Sequence, residues 1–227
     1  MINKQSDLLI GGGAATLLLF FMATAVDICN LSLSLLGDSA TVTSINPADG
    51  SPQSGHCARW YPFALRKVLE QHDWSFAIRR MQLAELSSFK SDIYDWDHAY
   101  GVPSDCLRVI RVYDPNLQVS EEFEIENNAS NTSRVLLTNA KECVISYVAY
   151  VDTPTIFPVY FIQAVTLLLA SYLVGPLKRA DTTSQLAQGL LQQYQQTLQE
   201  AINQDCKTAI RRVAKRRIPD SLRVREV

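Results

Sequence analysis

A chain of 227 residues, 47% of them hydrophobic, is long enough to bury its own core, and this composition excludes wholesale disorder. Its 21 Lys and Arg against 23 Asp and Glu leave a net charge of −2, so no global basic excess draws it to nucleic acid. The five cysteines (Cys29, Cys57, Cys106, Cys143 and Cys206) are odd in number and widely spaced, and read as free thiols in a reducing compartment rather than as a disulfide frame or zinc site.

The N-terminus opens on an apolar run. Leu8 to Val26 is nearly uncharged, contains Gly11-Gly12-Gly13, follows Lys4 and includes Ala23-Thr24-Ala25, an A-x-A-like site. Three readings stand. The natural start is Met22 and residues 1–21 are an upstream extension; or the run is a signal peptide or membrane anchor; or it is a structured apolar arm.

Residues 23–36 follow a helical period, with Val26, Cys29, Leu33 and Leu36 on one face and Ile28, Leu31 and Leu35 on a second. Gly37 is expected to stop this helix. Residues 38–54, rich in Ser, Thr, Asp, Pro and Gly, read as a loop. A second helix is expected over 55–72, with Ala58, Tyr61, Leu65, Val68 and Leu69 facing inward and Pro62 near its first turn or at a kink.

From Asp73 the period changes to two. Trp74, Phe76 and Ile78 alternate with Ser75, Ala77 and Arg79, as in a half-buried strand. Residues 87–105 read mostly as loop, anchored by Tyr94, Trp96 and Tyr100. Strands are expected over 106–113, 122–126, 134–138 and 142–151, with a turn at Asp114-Pro115-Asn116 and a polar hairpin tip over 127–133.

Residues 155–174 are apolar nearly all round, and Gly175-Pro176 is expected to end them. Pro158 and Gln163 favour a buried core helix over a membrane span. A long helix is expected over 181–214, with Asp181, Thr182 or Thr183 as cap and a stripe of Leu186, Leu190, Tyr194, Leu198, Ile202, Ala209 and Val213. Gln185, Gln188, Gln192, Gln195 and Gln199 lie mostly off that stripe. The segregated elements predict an α+β fold: a bundle of N- and C-terminal helices (22–72 and 155–214), an inserted small β-rich domain (73–154) and a basic tail (215–227).

Catalytic and metal motifs are missing from the sequence. His56, His72 and His98 belong to no H-x-x-H pattern, and no G-x-S-x-G occurs. His72-Asp73, Asp95-x-Asp97-His98 and His56-Cys57 read as structural neighbours rather than catalytic pairs. Gly11-Gly12-Gly13 lacks the Lys and Ser/Thr of a phosphate loop. No catalytic residue, cofactor or metal ligand is therefore assigned.

The strongest charged feature is the C-terminal basic run. Arg211, Arg212, Lys215, Arg216, Arg217, Arg223 and Arg225 outlast the last helical turn, where the favourable dipole effect fades. They read as a docking arm for an acidic partner surface or for DNA phosphates, or as a solvated helix end.

Four ordered segments carry a resemblance. They are Ala25-Val26-Asp27-Ile28-Cys29-Asn30 through Leu36-Gly37; Cys57-Ala58 through Tyr61-Pro62, then Leu69, Trp74-Ser75-Phe76-Ala77 and Arg79-Arg80; Tyr100-Gly101-Val102-Pro103 with Asp105-Cys106-Leu107-Arg108-Val109; and Pro158, Phe161, Ala164, Leu168 and Ala170 through Leu191, Tyr194, Leu198 and Ala201. In this order, from Met22 to about Ala209, the chain resembles the tail tubular protein A family of short-tailed phages. The Trp-Ser-Phe-Ala and Pro-x-Asp-Cys-Leu-Arg pieces carry most of the resemblance. It implies a helical bundle with an inserted β domain and a structural virion protein of the neck, assembled in the host cytoplasm. It further implies a homo-oligomeric ring of twelve copies between the portal protein and a tail nozzle protein of the tail tubular B type. Genomic double-stranded DNA would pass through the ring without sequence specificity. The basic tail then becomes the candidate for portal docking. Residues 1–21 depart from the family pattern. The alternative is an exported or membrane-attached protein that uses residues 8–26 as signal or anchor.

Overall fold

The computed structural model describes residues 23–39, 41–87, 95–115, 119–128, 132–178 and 183–213. Residues 1–22, Tyr94, Asn116, Asp181, Thr182 and everything after Val213 lie outside them. Among the described residues are four α-helices and two small antiparallel sheets, a mixed α+β fold.

Helix α1 spans Ala25–Leu35. Thr24 starts it through a capping box: its hydroxyl accepts the Asp27 N–H at 3.1 Å, and Asp27 Oδ2 accepts the Thr24 N–H at 2.8 Å. Gly37 ends it in a left-handed conformation, φ +66°, that lets Gly37 and Asp38 donate back to the carbonyls of Ser34 and Leu33. Ala23-Thr24-Ala25 is thus the start of a helix, with Ala23 itself buried.

Helix α2 spans Pro52–Glu70, three residues ahead of the expected start. Ser51 caps it by accepting the Ser54 N–H at 3.1 Å, and Pro52 fits the first turn because no N–H is needed there. Pro62 falls in the middle of the helix, not in its first turn, on the exposed side where water can satisfy the freed carbonyl. Cys57, Tyr61, Ala64, Leu65, Val68 and Leu69 face inward.

The expected strand from Trp74 begins late. Residues 74–77 form a turn in which Ala77 and Ile78 both donate to the Trp74 carbonyl, at 2.9 and 3.2 Å. Trp74 and Ala77 are buried, and strand β1, Ile78–Gln82, is exposed along its length. The two-residue alternation there was a coincidence of turn geometry.

The remaining strands are β2 (His98–Gly101), β3 (Cys106–Asp114), β4 (Val119–Glu121), β5 (Phe123–Asn127), β6 (Arg134–Thr138) and β7 (Val144–Ala149). One sheet has the order β1-β7-β3-β4, the other β2-β6-β5. Strand β3 carries two register shifts, between Cys106 and Arg108 and between Val109 and Arg111. Each shift turns the following residues over, so the buried positions are Cys106, Val109, Val112 and Asp114 rather than a strict alternate set. β2 lies where a loop was expected, and β4 was not anticipated.

Helix α3 spans Val159–Leu177 with Pro158 as its N-cap, so that proline does not interrupt it. The helix runs through Gly175-Pro176, where a stop was expected. Gly175 keeps a negative φ, and Lys178 closes the last turn by donating to Val174 at 2.9 Å. α3 has the length and apolarity to cross a membrane. Yet Phe161, Ala164, Val165, Leu168, Leu169 and Leu173 are fully buried, and α1, α2 and α4 all pack on it. It is the centre of the helical part of the fold.

Helix α4 spans Thr183–Val213. Its buried row is Leu190, Tyr194, Leu198, Ala201 and Asp205; Leu186 is exposed and Ile202 only half-buried. The five glutamines at 185, 188, 192, 195 and 199 are all exposed. One hydrophobic core runs from Leu33 and Leu65 of the first helices through Phe161 and Leu168 to Ile145 and Tyr147 of the larger sheet.

Candidate functional site

A cluster of polar side chains surrounds the buried Asp205. This carboxylate is 2% exposed and accepts from Ser75 N–H at 3.0 Å, Ser75 hydroxyl at 2.7 Å and Tyr160 hydroxyl at 3.1 Å. His72 Nε2 lies 3.4 Å from Oδ2, the oxygen that accepts the Ser75 N–H, and Cys206 Sγ lies 4.0 Å from the same nitrogen. Ser, His and Asp are together, but in the wrong order for nucleophilic catalysis. Both Ser75 and His72 engage the carboxylate, so no imidazole stands between acid and hydroxyl to remove its proton. The cluster joins the turn after α2 to α3 and α4.

An aromatic cluster surrounds the same turn. Trp74 donates its indole N–H to the Val68 carbonyl at 2.8 Å and meets Phe161 edge-on at 5.1 Å. Phe76 meets Phe161 at 4.8 Å and Phe157 at 5.4 Å. Burial, then the neighbouring Asp205 carboxylate, push the Tyr160 hydroxyl up to about 12. Trp74-Ser75-Phe76-Ala77 is therefore a joint: two rings grip α3, the serine grips α4, and the Ala77 carbonyl accepts the Ala149 N–H of β7 at 2.9 Å.

A second joint uses Pro103-Ser104-Asp105-Cys106-Leu107-Arg108. Cys106 N–H donates to the Pro103 carbonyl, and Tyr150 N–H to that of Asp105, at 3.0 and 2.7 Å. The Asp105 carboxylate receives Arg79 at 2.6 Å, Arg108 meets Asp73 at 2.5 Å, and the Arg134 guanidinium donates to the Cys106 carbonyl. Both sequence pieces that stood out thus hold elements together.

The side chains considered for chemistry are dispersed. His98 pairs with Glu85 at 2.7 Å, far in sequence from the Asp205 cluster. Cys57 lies buried against Cys29 across the α1–α2 contact, and that thiol hydrogen bond together with burial pushes Cys29 up. His56 is half-buried on α2. All five cysteines are free thiols. Among the described residues, no group of three or more His, Cys, Asp or Glu side chains is placed to hold a metal ion. Of the basic docking candidates, the backbone of Arg211 and Arg212 continues α4. Lys215, Arg216, Arg217, Arg223 and Arg225 lie outside the described residues.

An apolar groove of about 600 Å³ lies between α1 and the first half of α3, reaching Thr197 of α4. Leu31 and Leu35 form one wall, Val159, Ile162 and Leu167 the other, and no charged residue lines it. Leu31 and Leu35 remain 43% and 47% exposed. The sequence signal for it was the second apolar face of the first helix. A groove of this composition suits another protein surface better than a polar metabolite.

No protein-family model matches this chain, and no curated protein matches it.

Proposed function

We propose that the chain is a structural assembly protein: a subunit of the adaptor ring between portal and tail nozzle in a tailed phage. The observation that carries this reading is the open, uncharged groove of α1 and α3, a surface built for packing rather than for chemistry. The ordered resemblance to tail tubular protein A supplies the specific identity. In that reading the helices of 22–72 and 155–214 close into one bundle around α3, and residues 73–154 are its inserted β domain. Copies, twelve in the resembled family, form a ring whose channel carries the genome. The net charge of −2 suits a conduit that must release phosphate rather than hold it. The basic residues from Arg211 to Arg225 dock on the portal protein, and the opposite side of the ring meets the nozzle protein.

The rival reading places residues 8–26 in a membrane or a signal. The end of that run belongs to the α1 cap, and the other candidate span, α3, has three helices packed on it, which favours the assembly role. Electron microscopy of the purified protein, alone and mixed with the portal protein encoded beside it, tests the proposal. The expected result is an extra ring with an open central channel. Recovery of the protein in membranes, with no ring in either sample, overturns it.

A further inference from the structure

On the side of the helices away from the groove, α2 presents Phe63, 64% exposed, the most exposed aromatic residue among the described residues. Trp60 supports it at 6.2 Å, and Tyr172 of α3 supports Trp60 at 5.4 Å. Tyr172 and the groove residue Gln163 are nine positions apart on α3. At about 3.6 residues per turn that is roughly two and a half turns, so they point to opposite sides. The fold therefore carries a protruding apolar ridge on one side and an apolar groove on the other.

Their charges are complementary. Phe63 is flanked at four residues on either side by Arg59 and Lys67, all three exposed on one row of α2. Leu31 and Leu35 of the groove wall also stand at four-residue spacing, and their row continues beyond the groove to the capping residue Asp27. Asp27 is the only charged residue of α1, α3 has none, and exposed Glu200 follows Thr197 by one turn on α4. A basic–aromatic–basic ridge thus faces an apolar groove whose nearby charges on α1 and α4 are acidic. Rows of four-residue spacing on two helices interdigitate in the commonest mode of helix packing.

The geometry points to a head-to-tail contact between copies of this chain, in which Phe63 of one copy enters the Leu31–Leu35 groove of the next. This rests on the ring reading and names the surfaces that would build the ring. A contact between two different patches repeats from copy to copy and closes into a ring when the rotation allows, whereas a self-complementary contact stops at two. Flanking Arg59 and Lys67 against Asp27 set the register and make association weaken as salt rises.

Sedimentation velocity on the full chain tests it with Phe63→Glu and Leu35→Glu, and with Val159→Glu as a second groove variant at another exposed position. Wild type is expected to sediment as a large oligomer, and each variant alone as a monomer with an unchanged melting midpoint and at least a tenfold weaker association. An equimolar mixture of Phe63→Glu and Leu35→Glu is expected to form a dimer and nothing larger. One intact ridge then meets one intact groove and the chain of contacts ends there. Rings that persist in all three variants overturn the surfaces while leaving the ring reading standing. A mixture that stays monomeric overturns the head-to-tail pairing. If Leu35→Glu lowers the melting midpoint while Phe63→Glu still assembles, the groove is filled by the chain's own residues and the proposal fails. Wild type that is monomeric at every concentration and forms no ring on the portal overturns both readings.

Discussion

Asp205 takes both polar hydrogens of Ser75, the backbone N–H at 3.0 Å and the hydroxyl at 2.7 Å, across 130 residues of sequence. A carboxylate is suited to this because it only accepts, and it can satisfy several donors at once. The contact fixes where the chain leaves the helices and enters the larger sheet.

Replacing Asp205 by Ala leaves Ser75, Tyr160 and His72 facing a void. Orphaning buried donors costs about 1–3 kcal/mol each, partly relieved by water, so a loss of about 3 kcal/mol is expected in urea unfolding. Asp205→Asn keeps one acceptor oxygen and should lose less. Equal stability of Ala and wild type would show that the cluster is solvated rather than buried.

Trp74 fills the space among Val68, Tyr160, Phe161 and His72. Trp74→Ala should cost about 3–5 kcal/mol, a large part of the total stability of an ordinary domain. Trp74→Phe keeps an aromatic ring there but loses the indole hydrogen bond to Val68, and should fall between. Circular dichroism melts of the three proteins give the order directly.

Alkaline pH should unfold the protein in a defined window. Burial pushes Tyr100, Tyr160 and Tyr194 from 10.0 up to about 12 in the folded state. Between those values the unfolded chain releases protons that the folded chain retains, so ionisation favours unfolding. Stability contributed by these groups is complete below pH 10 and is lost as pH rises through about 12. Tyrosinate absorbance should therefore rise together with unfolding, and Tyr160→Phe should make the decline shallower.

Exposed ion pairs should matter little. Arg108 and Asp73 are 49% and 37% exposed in their side chains, so water screens their 2.5 Å contact. Arg108→Ala is expected to change stability by less than about 1 kcal/mol. A larger loss in thermal unfolding would mean that the guanidinium stem packs more tightly than its exposure indicates.

Ending the chain after Ala209 removes all seven basic docking candidates. Under the proposed function it should weaken binding to the portal, and the binding that remains should depend less steeply on salt. Unchanged affinity in a pull-down titration would remove the tail from the docking surface.

The helices were readable from sequence because their apolar spacing repeats over many turns, as in Leu190, Tyr194 and Leu198. The failures were local. Pro158, inside the expected apolar run, is the cap of α3, while Gly175-Pro176 looked like a stop and is helical. Proline lacks only the N–H that a first turn does not need, and glycine ends a helix only when its φ turns positive. Trp74-Ser75-Phe76 imitated a strand because apolar residues alternate there in sequence, whereas the turn buries Trp74 and Ala77, three residues apart. The Asp205 cluster was illegible, since it joins the turn of His72 and Ser75 to Tyr160 and Asp205, three segments far apart in sequence. The groove was half legible: two apolar faces on the first helix said that something must cover them, but not what.

Helix α4 does not end at Asp205. Beyond Asp205 it continues for eight residues to Val213, about 12 Å at 1.5 Å per residue. Asp205 clamps it to the turn that feeds β1. Ser75 takes that clamp two residues from Ala77, whose carbonyl holds β7, so α4 and the root of the larger sheet share one short segment. One hydrogen-bonded carboxylate thus makes the helix at Asp205 and the sheet root parts of a single rigid joint.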